Sequence, residues 1–118
     1  QERQRQTSLL MHSEEFTQLD PHMPCTIGGD FNDWRSQLRA LIVEGMGMLC
    51  ATDLDTEKGV RSLKTYPSFS PRGGLDRIYY RGGLQLESIE KCRHQVAKVA
   101  SDHLPIIANF KLSPTHTL

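Results

Sequence analysis

Apolar positions along this chain repeat in distinct ways, and each repeat predicts an element. From Asp33 onward Trp34, Leu38, Leu41 and Ile42 recur at helical spacing, with Gly45 and Gly47 supplying a stop. Leu75 to Tyr80 alternates instead, placing Asp76, Ile78 and Tyr80 on one face of a strand and Leu75, Arg77 and Tyr79 on the other. Leu104 to Leu112 is an apolar run long enough for a buried closing strand. Cys25 to Phe31 predicts a short strand that delivers Asp30 to its C-terminal edge, and Met48 to Ala51 a brief extended piece. Leu84 to Val96 carries a further strand or two, set off by Gly82 and Gly83.

The intervening stretches read as connections. Glu2 to about Leu19 is polar with apolar points at Leu9, Leu10, Phe16 and Leu19; its first part reads as a surface helix, ended by Asp20, Pro21, His22 and Pro24. Asp53 to Glu57 reads as an acidic turn, Val60 to Phe69 as an irregular or edge strand, and Ser70 to Gly74 as a turn. The tail from Ser113 to Leu118 is expected to fray. Strands interleaved with helical stretches indicate a mixed α/β (α+β) layer architecture.

Composition narrows the classes. A chain of 118 residues has room for one modest core. Lysine plus arginine equals aspartate plus glutamate at 14 each, which argues against a strongly cationic nucleic-acid binder while leaving room for a local basic groove. No apolar run reaches the roughly 20 residues of a transmembrane helix, and the opening Gln-Glu-Arg-Gln-Arg-Gln is no secretory signal. The start without Met suggests that the true N-terminus lies elsewhere. Cys25, Cys50 and Cys92 are far apart and odd in number, so they read as free thiols of a reducing, cytoplasmic setting rather than disulfides or a zinc site.

The chemistry begins at Thr26-Ile-Gly-Gly-Asp-Phe-Asn-Asp33. Asp30 and Asn32 share a side if the backbone is extended, and a carboxylate beside a carboxamide suits a hard cation and a phosphate oxygen. The plainer alternative is that they cap the helix that follows. Two more acidic signatures come later: Leu75-Asp-Arg-Ile78 and Ser101-Asp-His-Leu-Pro105. His103 suits a base or a phosphate-binding cation, since imidazole titrates near neutrality. His12, His22, His94 and His116 lack ligand spacing and read as surface residues. Trp34 reads as core packing rather than a base-stacking platform, and Tyr66, Arg72 and Arg93 as scattered surface residues more readily than as a phosphate groove.

With these signatures in order, the chain resembles the endonuclease/exonuclease/phosphatase (DNase I-like) superfamily of magnesium-dependent phosphodiesterases. Thr65-Tyr-Pro-Ser-Phe-Ser-Pro71 and the opening Glu2-Arg-Gln-Arg-Gln6 are similar to small bacterial members. The resemblance implies a four-layer α/β/β/α sandwich, mostly antiparallel with flanking helices, of which residues 1–118 match only the C-terminal half. It implies that Asp76 orients His103, that Asp30 positions or activates the attacking water, and that Asn32 and His103 contact a phosphate oxygen. It leaves Asp102, with Asp30, to approach Mg²⁺, with Mn²⁺ as an alternative. The implied substrate is a phosphodiester: nucleic acid, a phospholipid head group or a small molecule. The N-terminal half, with its metal-binding glutamate, has no counterpart here, since Glu2, Glu14 and Glu15 stand in the wrong context. A weak or inactive fragment, completed by the missing half or a second copy, is therefore expected. The reading from another class is a non-catalytic remnant or association module, whose open sheet face and edges favour pairing.

Overall fold

A computed structural model describes residues 12–94 and 101–113. The surface helix expected in the first part of Glu2 to Leu19, any strand beyond residue 94 and the fraying tail fall wholly or partly outside that range.

The fold is α+β, with antiparallel strand pairing throughout the described residues. In chain order the elements are α1 (Glu14–Thr17), β1 (Cys25–Asp30), α2 (Gln37–Met46), β2 (Leu49–Cys50), β3 (Asp53–Thr56), β4 (Gly59–Ser62), β5 (Asp76–Arg81), β6 (Leu84–Lys91) and β7 (Ile106–Leu112). Strand β5 is central, paired with β1 on one edge and β2 on the other. Among the described residues β3 pairs only with β4, and β6 only with β7.

The alternation of β5 sorts its residues between two environments. Leu75, Arg77 and Tyr79 are buried, and Tyr79 stands opposite Ile27 of β1. On this side α2 lays down Ile42 and Met46, which with Met48 and Tyr79 form the core; Cys25, Ile27, Phe31 and Cys50 pack around them. Helix α1 joins through Phe16, whose ring lies under the Arg81 guanidinium while Arg81 donates to the Met46 carbonyl. On the opposite side Asp76, Ile78 and Tyr80 are only half-buried, and Tyr80 stacks on Phe110 of β7 at 5.0 Å. The β6–β7 hairpin thus lies across the second face of the sheet. A cleft of about 420 Å³ remains between them, lined by Gly28, Gly29, Ile78 and the segment from Leu104 to Ile106.

Several elements differ from the sequence reading, each for a local reason. Helix α2 begins at Gln37 rather than near Asp33, because Ser36 is in the left-handed region (φ 58°) and breaks the turn. The Asp33 carboxylate reaches forward to accept from the Leu38 and Arg39 amides, satisfying donors that a helix start leaves open. Trp34 therefore sits outside the helix and is 60% exposed, not core. Gly45 lies within α2, and Gly47 (φ 65°) ends it. The acidic stretch expected to be a turn is strand β3; the turn falls one step later, at Glu57 and Lys58, with Gly59 at φ 101°. Asp53 is held there by Arg39 of α2, a charge pair that ties the hairpin to the helix. Leu84 to Lys91 is one strand, bulged between Leu86 and Ser88. β7 is not a buried strand: it alternates half-buried and exposed positions, and Ile107 is 47% exposed. A hairpin covered on one face alone produces that pattern.

Candidate functional site

Three distant segments meet at the edge of the β1–β5 pair. The register places Asp30 directly opposite Asp76, the last residue of β1 against the first of β5. Antiparallel pairing puts both carboxylates on the half-buried face. The segment before β7 then brings His103 over them: its Nδ1 lies 2.6 Å from Asp76 Oδ2, and its Nε2 lies 3.7 Å from Asp30 Oδ2. Ligand-capable atoms of Asp30, Asp76 and His103 all fall within 4.8 Å of one another.

The stretch from Thr65 to Pro71 clamps this arrangement. Thr65 is fully buried, and its hydroxyl donates to the same Asp76 oxygen that holds His103. Its carbonyl accepts from the Leu104 amide. The Tyr66 ring packs against the His103 imidazole with centroids 4.9 Å apart. Ser68 accounts for the other end: its amide donates to the Asp102 carbonyl and its hydroxyl to the Ser101 carbonyl. The Ser101 hydroxyl in turn accepts from the His103 amide. The Tyr66–Pro67 peptide is cis. None of Thr65, Ser68 or Asp33 announces its role in isolation. Thr65 and Ser68 stood out only as part of a motif-like stretch, and Asp33 only as a residue next to Asn32.

Electrostatics follow from the contacts. The hydrogen bond to Asp76 raises the His103 pKa above the ordinary imidazole value; partial burial opposes this, and the charges of Asp76, Asp30 and Asp102 add to it. His103 is therefore biased toward the imidazolium. With Nδ1 engaged by Asp76, Nε2 is the nitrogen turned toward Asp30.

The remaining sequence candidates are placed less centrally. Asn32 has left the extended conformation (φ 50°), so it does not share a side with Asp30 through strand alternation as expected. Its amide instead donates to Asp30 Oδ1 at 2.8 Å, the local turn for which Asp and Asn are suited. Among the described residues its carboxamide makes no hydrogen bond, and Asn32 is exposed. Asp102 is exposed and contributes its carbonyl to Ser68; its carboxylate lies outside the Asp30–Asp76–His103 group, near enough to act on the His103 charge. Capping of α2, the plainer alternative for Asp30 and Asn32, is performed by Asp33.

All three cysteines are free and half-buried, and among the described residues no helix is long and apolar enough to cross a membrane. No protein-family model matches the chain. No solved structure matches it. The chain is similar to the uncharacterized protein YbhP of Escherichia coli K12, to that of Escherichia coli O6:H1 and to that of Shigella flexneri. Each is 30% identical over 115 residues, covering 94% of this chain and 42% of the relative. The chain thus spans about two fifths of the length of the curated relatives it matches.

Proposed function

We propose that this chain carries catalytic residues of a metal-dependent phosphodiester or phosphoester hydrolase of the endonuclease/exonuclease/phosphatase type, in which water attacks phosphorus in line. The observation that carries the reading is the meeting of Asp30, Asp76 and His103, from three separate motifs, within 4.8 Å at one sheet edge. The four-layer sandwich belongs to the same proposal: α2, the β5 sheet and the β6–β7 hairpin supply three successive layers consistent with it.

A divalent cation fits the donor set at this edge, where ligand-capable atoms of two carboxylates and an imidazole lie within 4.8 Å of one another. Asp76 and His103 engage each other, whereas the Asp30 side chain is 46% exposed, with its Oδ2 3.7 Å from His103 Nε2. Mg²⁺ is commonly held by one or two carboxylates and keeps much of its water, so Asp30 with nearby Asp102 would suffice; Mn²⁺ takes the same donors. When bound, the metal supplies positive charge to a phosphate oxygen. The chain's own residues do the rest. Asp76 fixes the tautomer and orientation of His103, and Thr65 fixes Asp76. The raised pKa favours His103 as the cation that binds the phosphate oxygen and leaves Asp30 to orient and deprotonate water. Asn32, unbonded at its carboxamide, is available to donate to phosphate.

A second reading is favoured by the outward face of β7. Ile107 on that face is 47% exposed, and Leu112 at the end of the strand is 64% exposed, as expected of a sheet layer that another chain segment or a second copy covers. On that reading the chain alone is weakly active or inactive and serves as an association module. The test is Mg²⁺-dependent hydrolysis of bis-p-nitrophenyl phosphate by the folded chain, with His103→Ala and Asp30→Asn as controls. Turnover that disappears in both variants supports the hydrolase. Equal background from all three proteins, each folded by circular dichroism, rejects catalysis by this chain alone and favours the second reading.

A further inference from the structure

Beside the candidate reaction centre lies a second depression, of about 170 Å³, lined by Trp34, Ser36, Arg61, Lys64, Arg72 and Arg77 among others. Its charge is predominantly positive, with four cationic side chains against one carboxylate. The carboxylate on its wall is Asp33, and both Asp33 oxygens are engaged by the first amides of α2. Arg61, Lys64 and Arg72 make no ion pair among the described residues. Arg77 adds a charge from below: it is 2% exposed and anchored to the Gly74 and Asp33 carbonyls. Lys91 extends the basic surface, donating to the Lys64 carbonyl, and burial together with the Arg93 and Lys64 charges lowers its pKa. Four of the chain's 14 lysines and arginines line this depression, although its net charge is zero.

The depression also has an aromatic wall that leads to the site. Trp34 stands edge-to-face with Tyr66 at 6.2 Å, and Tyr66 in turn meets His103 at 4.9 Å. Trp34 is 60% exposed yet positioned from beneath: a Cβ added at Gly73 would come within 2.5 Å of its six-membered ring. A large indole held against backbone and left open to solvent is poor packing but a good stacking surface.

From this juxtaposition we infer that the Trp34–Arg61–Lys64–Arg72 depression binds single-stranded nucleic acid, with a base stacked on Trp34 and adjacent backbone phosphates on the cations. This rests on the proposed hydrolase and names its substrate class. A small phosphodiester would fill the Asp30–His103 site without needing a second anion-binding depression. A strand offers phosphates at regular intervals and a flat base between them, which are the two features presented here. A duplex, whose bases are stacked inside, would leave Trp34 without a partner.

Trp34 is the single tryptophan of the chain, so its fluorescence reports the contact directly. The folded chain is titrated with dT₁₂ in EDTA, where binding is read without turnover. Quenching is expected, with affinity falling roughly twentyfold between 50 and 200 mM salt for three phosphate contacts, and the slope shrinking in Arg72→Gln. Anisotropy of fluorescein-dT₁₂ follows the variants: Trp34→Ala is expected to weaken binding at least about fivefold, and Trp34→Phe to restore part of it. Gly73→Ala, which pushes the indole from its seat, is expected to weaken binding with thermal stability retained. No quenching at any salt, or equal affinity for dT₁₂ in Trp34→Ala, overturns the inference. So does a response confined to anionic phosphatidylglycerol vesicles, which would make the patch a membrane contact. Binding in EDTA without Mg²⁺-dependent turnover leaves this inference standing and rejects catalysis by this chain alone; turnover without binding does the reverse.

Discussion

The two faces of strand β5 carry opposite duties on adjacent residues. Leu75, Arg77 and Tyr79 are at most 3% exposed and meet α2, Asp33 and Gly74, while Asp76, Ile78 and Tyr80 remain half-buried under the β6–β7 hairpin. Strand alternation makes this possible, because a change on one face leaves the other's side chains in place. The packed face fixes the backbone, and the open face spends that rigidity on the Asp30–Asp76–His103 geometry. A site on a strand flanked by two others is held more closely than the same residues would be on a loop.

The largest effect should come from breaking the packed face. Tyr79→Ala removes the biggest fully buried side chain and is expected to cost about 3–5 kcal/mol by urea unfolding. Loss of under 1 kcal/mol would mean that the face is not the core. Asp76→Asn addresses the open face. Hydrolysis of bis-p-nitrophenyl phosphate should fall on the order of 100-fold or more, whereas stability should fall by only about 1–2 kcal/mol. A reversed ratio would show that Asp76 is structural. Arg77→Met is intermediate: it strips donors from the Gly74 and Asp33 carbonyls and should cost about 1–3 kcal/mol in the same unfolding assay.

Smaller effects sharpen the contrast. His103 has a pKa raised by Asp76, so their pairing stabilises the fold fully below about pH 6.5, the unfolded value, and is lost as pH rises through the folded value. In chelator, thermal midpoints should therefore decline with pH above that point, and Asp76→Asn should flatten the decline. On the packed face, burial pushes the Cys50 thiol up. Its reaction with a disulfide reagent at pH 8 should form a slow phase that disappears in Cys50→Ser.

These contrasts bear on what the amino-acid order reveals. Alternation from Leu75 to Tyr80 assigned both faces of β5 correctly, since a period of two is a local property. The run from Leu104 to Leu112 was also a strand, but its apolar content did not reveal that only one face would be covered. Trp34 misled because it continues the spacing of Leu38 and Ile42, while Ser36 in a left-handed conformation moved the helix start beyond it. Asp30, Asp76 and His103 were legible as candidates because each sits in a short motif. Asn32 and Asp102 were equally legible as residue types, yet the folded chain sets them at the margin of the group.

The sequence by itself determined the α+β pattern, the principal strands and helix, and the residue types capable of phosphate chemistry. Periodicity and turn residues act over a few positions, so they survive in a linear reading. Tertiary structure alone decided that Asp33 caps α2, that Thr65 holds Asp76, that Tyr66 bridges His103 and Trp34, and that a neutral chain has a basic pocket. Each of those joins residues brought together by chain closure, and closure depends on the packing of α2 and the hairpin against opposite faces of one sheet rather than on any local preference.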